Sequence, residues 1–569
     1  MYGWLLTDFD TTTQFDNKNI EKITYKNFSL MRKHNGRFVN DSIYEETDRY
    51  IILLEGTIYN RRELLDSHNQ KDWLNLVIVL YKAYGNSFPD LLRGCFSGIC
   101  FDKQDDSIFA FTNHIGDSGV FYSNLDLHNN HFCISNNVNW IVDTFKANNL
   151  AYTLDINAVK YMSTFGYMLD QTTYISEISR LMPGEYLYTQ NMKQSIQSYH
   201  VFDNTKTIDM SISEIIDELD RLFRQAIARE FDKDLEYGYC SLVDLSGGLD
   251  CRIVNYVAKD MGYNNILNIS FSQTGSDESK AMLALYRDLG NPLFYVPLDN
   301  ANHLLDLDIV IDKNYGLSYY AGAGSIMTVL ESINLDLFGL EHGGILGDMA
   351  EGVFPGSGYT EHTEPSFEAG MPFSYLLGFD MLDKKVLDKY PNTEMFTIAG
   401  RGLLAGACTQ LLRRHYTGYA SPFEDVDFYD FFLSIPLSIR GKGKILDKWI
   451  LDRYPQAYDI ISDSLMCKPS AGEFTKKIKR LQKSIKGKFA QIFSRWYPSL
   501  KRNNMNPMEY WYKTNSELRS FIHQYYNDNV DKLDIVPKAK ELVAKLFNQG
   551  NTTNKLQALT VLGVVKKYF

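Results

Sequence analysis

The segment Leu245-Ser246-Gly247-Gly248-Leu249-Asp250 combines the residue types that hold a phosphate group. Paired glycines let the backbone come close to an anion. The N–H groups of such a turn, and of a helix after it, point at that anion, and Ser246 adds a hydroxyl donor. Asp250 offers a hard oxygen ligand of the kind that holds the magnesium accompanying a nucleotide. The spacing is not the G-x-x-x-x-G-K-[ST] of loops that grip a γ-phosphate, and no lysine follows. Pyrophosphate therefore fits better than γ-phosphate transfer. Since a Ser-Gly-Gly pair is also an ordinary strand-to-helix turn, its neighbours decide the matter.

The elements around the segment have the required texture. Ser241-Leu242-Val243 reads as a strand before it and Cys251 to Met261 as a helix after it. Ile266 to Phe271, Glu278 to Leu289 and Leu293 to Pro297 then continue as strand, helix and strand. This alternation predicts a parallel sheet. A helix from Ser211 to Phe231, with Ile215, Leu219, Leu222, Phe223 and Ile227 near the helical period, opens this part of the chain. The remainder to Phe569 reads as mostly helical and is expected to pack on the sheet and close the site.

Up to about Asn204 the pattern differs. Short β-rich runs such as Arg49 to Leu54 and Ser107 to Phe111 alternate with Asn/Asp/Gly turns, and one helical stretch, Trp73 to Tyr84, interrupts them. Antiparallel sheets with a helix layer are predicted, followed by a linker at Val201 to Thr207. A chain of 569 residues exceeds what one core supports. Two domains are therefore expected, at residues 1–204 and 205–569.

Composition sets the class. With 44% apolar and 22% charged residues the chain has the balance of a globular protein. A net charge of −12 argues against nucleic acid as a partner, because phosphate neutralisation needs a basic surface. The seven cysteines form no C-x-x-C pair and no Cys/His cluster at metal spacing, so they read as thiols in a reducing compartment. No basic-flanked leader opens the chain and no transmembrane segment of about 18 apolar residues stands out, so a cytoplasmic location is expected. A basic island runs from Lys476 to Arg502 and reads as a solvated face or a loop over a phosphate-handling site, the alternative being a contact with an anionic membrane or a polyanionic partner.

Taken together, these segments resemble the asparagine synthetase family. The loop 245–250 is similar to that family's pyrophosphatase-type loop, with Ser270-Phe271-Ser272 and Asp277-Glu278 following as in the family. Glu55-Gly56-Thr57-Ile58-Tyr59-Asn60 is similar to its Asn-Gly-Glu-Ile-Tyr-Asn, and Leu181-Met182-Pro183-Gly184-Glu185 to its Pro-Gly exit strand. Gly343-Gly344-Ile345-Leu346-Gly347-Asp348 stands where the family has Ser-Gly-Glu-Gly-Ser-Asp-Glu. Ser421-Pro422-Phe423-Glu424-Asp425 resembles Pro-Phe-Leu-Asp, and Lys444 matches the family's phosphate lysine.

The resemblance implies an α+β domain followed by an α/β domain. The first is an Ntn-hydrolase-like antiparallel sandwich of the class II amidotransferase type. The second is a parallel-sheet ATP-pyrophosphatase domain with a helical tail. It implies ATP and Mg2+ as cofactors, Asp250 and Asp348 as metal ligands, and residues 246–250 on pyrophosphate. Lys444 would act on the departing phosphates, and Leu245, Gln273, Gly343 and Gly344 would border the nucleoside.

The departures matter equally. Family glutaminases use an amino-terminal cysteine as nucleophile, and the second residue here is Tyr2. The amino-acid clamp has become Glu55-Gly56-Thr57, so loss of glutamine hydrolysis is expected. The family glutamate proposed to deprotonate the amine aligns with Ile345, although Glu351 lies close in sequence. The expected function is an AMP-forming amide ligase joining a small-molecule carboxylate to ammonia or another amine. Two alternatives are an intramolecular cyclase of the β-lactam-synthetase or lasso-peptide-cyclase kind and a non-catalytic ATP-binding partner. A homodimer is a candidate assembly.

Overall fold

A computed structural model describes residues 2–11, 19–123, 131–190, 193–350, 362–462, 466–468, 471, 474–482 and 502–569. The first half builds two six-stranded antiparallel sheets. In spatial order one consists of Ile178–Arg180, Phe121–Ser123, Cys133–Ser135, Gly3–Thr7, Phe28–Lys33 and Glu21–Tyr25. The other runs Lys193–Ser198, Glu185–Gln190, Ser107–Thr112, Gly94–Asp102, Tyr50–Ile58 and Ile43–Glu46. Side chains alternate across a strand, and the strand Tyr50–Ile58 uses both of its faces. Ile52 and Leu54 pack with Leu76 and Leu80 of the helix Trp73–Tyr84. Ile51 and Leu53 pack with Trp4 and Leu6 of the facing sheet. That sheet's outer face, through Leu5 and Met31, meets the helices Val138–Ala147 and Ile156–Phe165. The result is a sandwich of four layers: helix, sheet, sheet, helix.

The second half carries a five-stranded parallel sheet in the order Leu293–Pro297, Ile266–Ser272, Cys240–Asp244, Phe338–His342, Tyr419–Ala420. The predicted strands and helices of the βαβ run are present, the helices as Leu249–Asp260 and Asp277–Leu289. The amphipathic helix spans Ile212–Glu236, and Ser211 with Glu214 closes a capping box at its start. Between it and the last strand of the first half, Asn204 is buried and exchanges hydrogen bonds with Asn392.

The carboxy-terminal helices differ from expectation. Thr552–Tyr568 is buried on nearly every side, and it packs with Pro537–Gln549 against the helix Ile156–Phe165 of the first half. Gln557 Nε2 donates to Met162 O at 2.9 Å, and Tyr568 Oη to Asn139 Oδ1 at 2.8 Å. The sequence of Thr552–Tyr568 has no single polar face to mark an outside, and the partner that covers it lies some 400 residues upstream. The segment 502–511 reaches the sheet end, through Gln273 N–H to Met505 O and Asp277 N–H to Asn503 O. Among the described residues one helix, Thr393–Arg413, is long and apolar enough to cross a membrane, and 78% of its apolar window is buried inside the protein.

Candidate functional site

The strand order places a topological switch between Cys240–Asp244 and Phe338–His342: the chain moves to one side after the first and to the other after the second. In open α/β sheets the crevice outside the strand ends at such a point is where ligands bind. Both glycine segments leave from it. Residues 245–248 follow the first strand, and residues 343–347 follow the second.

The helix Leu249–Asp260 begins at Gly248 with no side chain capping it, whereas Ser276 caps the next helix by accepting from Ser279 N–H. The first N–H groups of a helix need acceptors, and here the sequence supplies glycines and Ser246 instead of a cap. A Cβ added at Gly248 would meet only Ser246 Oγ, at 3.4 Å, so the space in front is open. The Gly247 N–H is already committed, donating to Glu278 Oε1 at 2.7 Å.

The second glycine turn closes on Asp250. A Cβ at Gly344 would lie 2.5 Å from Asp250 Cβ, and one at Gly347 2.3 Å from Asp250 Cγ. Asp348, exposed on the short helix Gly347–Ala350, therefore follows directly on a residue touching the Asp250 carboxylate. In the same turn Leu346 holds φ at 72°, a conformation that L-residues adopt at a cost of order 1–3 kcal/mol and that gathers at functional sites. Two carboxylates beside a phosphate loop suit Mg2+, which takes one or two from protein and the rest from phosphate and water.

Buried contacts hold this geometry. Arg252, fully buried on the loop helix, donates to four carbonyls: Gly247, Ala457, Ile460 and Ile461, at 2.9 to 3.0 Å. Asn255 donates to Asp244 O at 3.0 Å, and Asn268 to Asn255 Oδ1 at 2.6 Å.

Beneath Gly343 lies a group that sequence reasoning missed. Asp244, Glu341, Arg413 and Tyr419 meet there, with Arg413 Nε 3.1 Å from Glu341 Oε1 and its guanidinium over the Tyr419 ring. Burial pushes both carboxyls up, and the Arg413 charge opposes it. The signal was present as two acids interrupting apolar strands, Leu242-Val243-Asp244-Leu245 and Gly339-Leu340-Glu341.

The remaining predicted residues are distributed unevenly. Leu245 is buried at the root of the loop, its N–H bonded to Ile269 O. Gln273 is buried, with Nε2 paired to Asp299 and Oε1 accepting from Trp511 Nε1 at 2.7 Å, so it ties the carboxy-terminal segment to the sheet. Lys444 is exposed at the start of the helix Lys444–Arg453. That helix packs on Pro455–Tyr458, whose Ala457 carbonyl holds Arg252. Glu351 and most of the basic island, residues 483–501, lie outside the described residues; Lys476, Lys477, Lys479 and Arg480 sit on a helical stretch.

Between the first half and the segment 414–418 of the second, a cavity of about 100 Å³ is lined by Tyr2, Arg37, Glu55, Thr57, Cys95 and Arg414 among others. Its one thiol, Cys95, is pushed well above the usual range by burial and by Asp117. Such a thiol carries little thiolate, the nucleophilic form. Glu55 is raised to about 7 by burial, against the pull of Arg32 at 2.9 Å.

Comparison with known proteins finds partial similarities. Residues 38–200 match a glutamine amidotransferase domain. Amidase chry2 of Gibberella zeae is 24% identical over 182 residues, 32% of this chain and 25% of that protein. The glutamine-hydrolysing asparagine synthetase of Zea mays is 33% identical over 79 residues, 13% of this chain and 14% of the relative. The matched stretches thus span a quarter or less of these relatives. The solved allosteric regulatory enzyme of purine biosynthesis aligns with 52% of this chain and 74% of its own, at 9% identity and a TM-score of 0.24. An amidotransferase-like stretch in the first half is thus joined to a parallel sheet carrying this loop, and short stretches of the chain are similar to glutamine-hydrolysing asparagine synthetases.

Proposed function

We propose that the protein is an ATP-dependent, AMP-forming amide ligase that activates a carboxylate as an acyl-adenylate and passes it to ammonia or another amine, without hydrolysing glutamine. The observation that carries this is the uncapped helix start at the topological switch, faced by Asp250 and a glycine turn pressed against it. Pyrophosphate would lie on the N–H groups of that helix start and on Ser246, while Gly247 stays with Glu278. Asp250 and Asp348 would hold magnesium, which offsets phosphate charge when bound. Lys444 would add a cation as charge leaves with the pyrophosphate.

The absence of glutaminase chemistry rests on Tyr2 at the cavity and on Cys95 as an inert thiol. One observation favours the non-catalytic alternative: Ile345 stands in the turn where the family has its amine-site glutamate.

The test is release of AMP and pyrophosphate from Mg-ATP with aspartate or other carboxylates, supplying ammonia or glutamine in turn. Turnover with ammonia alone, reduced about 10²- to 10³-fold by Asp250→Asn as for loss of one transition-state electrostatic contact, is the expected result. Turnover with glutamine would overturn the second part of the proposal. ATP binding with no AMP from any carboxylate would favour the non-catalytic reading.

A further inference from the structure

Three side chains far apart in the sequence converge where the two halves meet. Asp90 belongs to the short helix Gly85–Leu91, His114 to the turn after the strand Ser107–Thr112, and His200 to the chain just after Lys193–Ser198. His114 Nε2 is 3.1 Å from Asp90 Oδ1, and His200 Nδ1 is 3.3 Å from the same oxygen. One ligand atom from each of the three lies within 4.8 Å of the others, and among the described residues no other group of three or more His, Cys, Asp or Glu is so placed.

These distances carry weight because a tetrahedral ion with bonds of about 2.0–2.1 Å sets its donors roughly 3.3–3.4 Å apart. The second observation is on the far side of His200. Its Nε2 faces Asp430 Oδ1 at 3.5 Å, from the helix Val426–Ser434 of the second half. An imidazole with one nitrogen inward and the other turned to a carboxylate is the arrangement that orients metal-bound histidines. The His114 ring is 4% exposed and that of His200 12%, while Asp90 is 46% exposed, so the cluster has dry walls and an open side for a water ligand and for entry. Two imidazoles and one carboxylate suit Zn2+ and its neighbours better than Mg2+ or Ca2+.

We propose that Asp90, His114 and His200 bind one divalent transition cation of the Zn2+ type, with Asp430 as a positioning residue, and that the ion pins the chain just before the linker to the first half, where Asp430 of the second half meets it. The site is separate from the phosphate loop and does not depend on the ligase reading. A His200 imidazolium bracketed by Asp90 and Asp430 would account for the same distances without an ion, so the test must detect the ion itself.

The full chain, stripped with a chelator, is titrated with Zn2+ by calorimetry and with Co2+ by visible absorption. Expected are one equivalent bound, an intense tetrahedral Co2+ band, and a melting temperature that rises with Zn2+. Asp90→Asn and His200→Asn should abolish the band, and Asp430→Asn should weaken affinity 10- to 100-fold. Melts without metal show whether each variant still folds, and Asp430→Asn, which removes no ligand, keeps the test informative if a ligand variant does not. No saturable binding, or binding unchanged by all three substitutions, would overturn the proposal.

Discussion

At the scale of residues, two glycines separate fold from function. A side chain at Gly347 would drive into Asp250, whereas one at Gly248 would enter open space. Gly347→Ala should therefore cost about 1–3 kcal/mol by overpacking and also weaken nucleotide binding. Gly248→Ala should change stability by no more than about 1 kcal/mol, the range for a cap position, yet still weaken ATP binding by filling the phosphate space. Thermal melts beside ATP titration check both, and equal losses of stability would contradict the assignment. The loop's place between a strand and a helix was legible in the sequence because its signal is local: glycines, Ser246 and Asp250 fall within six residues. Asp244, Glu341 and Arg413 were not, since their meeting depends on strand pairing and on a helix 70 residues further on. Gln273 shows the converse. The resemblance placed it at the border of the nucleoside, and what the sequence did not show is that its amide also bridges Asp299 and Trp511.

Between elements, buried charges fix which strand meets which helix. Arg252 joins the loop helix to the segment 457–461 through four hydrogen bonds. Arg252→Met would leave buried carbonyls unpaired at about 1–3 kcal/mol each, less what water recovers, so a loss of roughly 3 kcal/mol or more in denaturant unfolding is expected. Faster proteolysis around residues 455–462 should accompany it. On the same face of the sheet, His342 Nε2 contacts Asp234 at 2.8 Å and Nδ1 faces Glu230 at 3.5 Å, tying its strand to the helix Ile212–Glu236. Burial alone would depress His342, but the two carboxylates outweigh it and hold the ring near 9. Burial also lifts Glu230 to about 7. A raised histidine contributes fully below its unfolded value near 6.5 and loses that contribution as pH climbs through 9. A raised carboxyl loses its contribution between its ordinary range and 7. Both slopes run the same way, so stability should fall from pH 6 to 9, and His342→Gln should flatten the fall above pH 7; an unchanged slope in that variant would refute the account.

The whole molecule is interlocked more than its sequence suggests. Alternation of strand and helix was readable because each element announces itself by period, and so were the two sheet types. Which half the carboxy-terminal helices would cover was not, because apolar residues on all sides of Thr552–Tyr568 specify burial without naming a partner. Residues 1–204 made alone should therefore fail to reach a native state, with poor amide dispersion and no cooperative melt, because Phe145, Met162 and Phe165 would lose part of their cover. A sharp two-state melt of that fragment would show that the first half folds independently. The same interlocking has a consequence in time. At synthesis rates of 5–20 residues per second, the roughly 390 residues between Phe165 and Thr552 take about 20 to 80 seconds to make. Throughout that interval the nascent sandwich presents an apolar face to the cell, which makes it a client for chaperones and sensitive to anything that stalls translation late in the message.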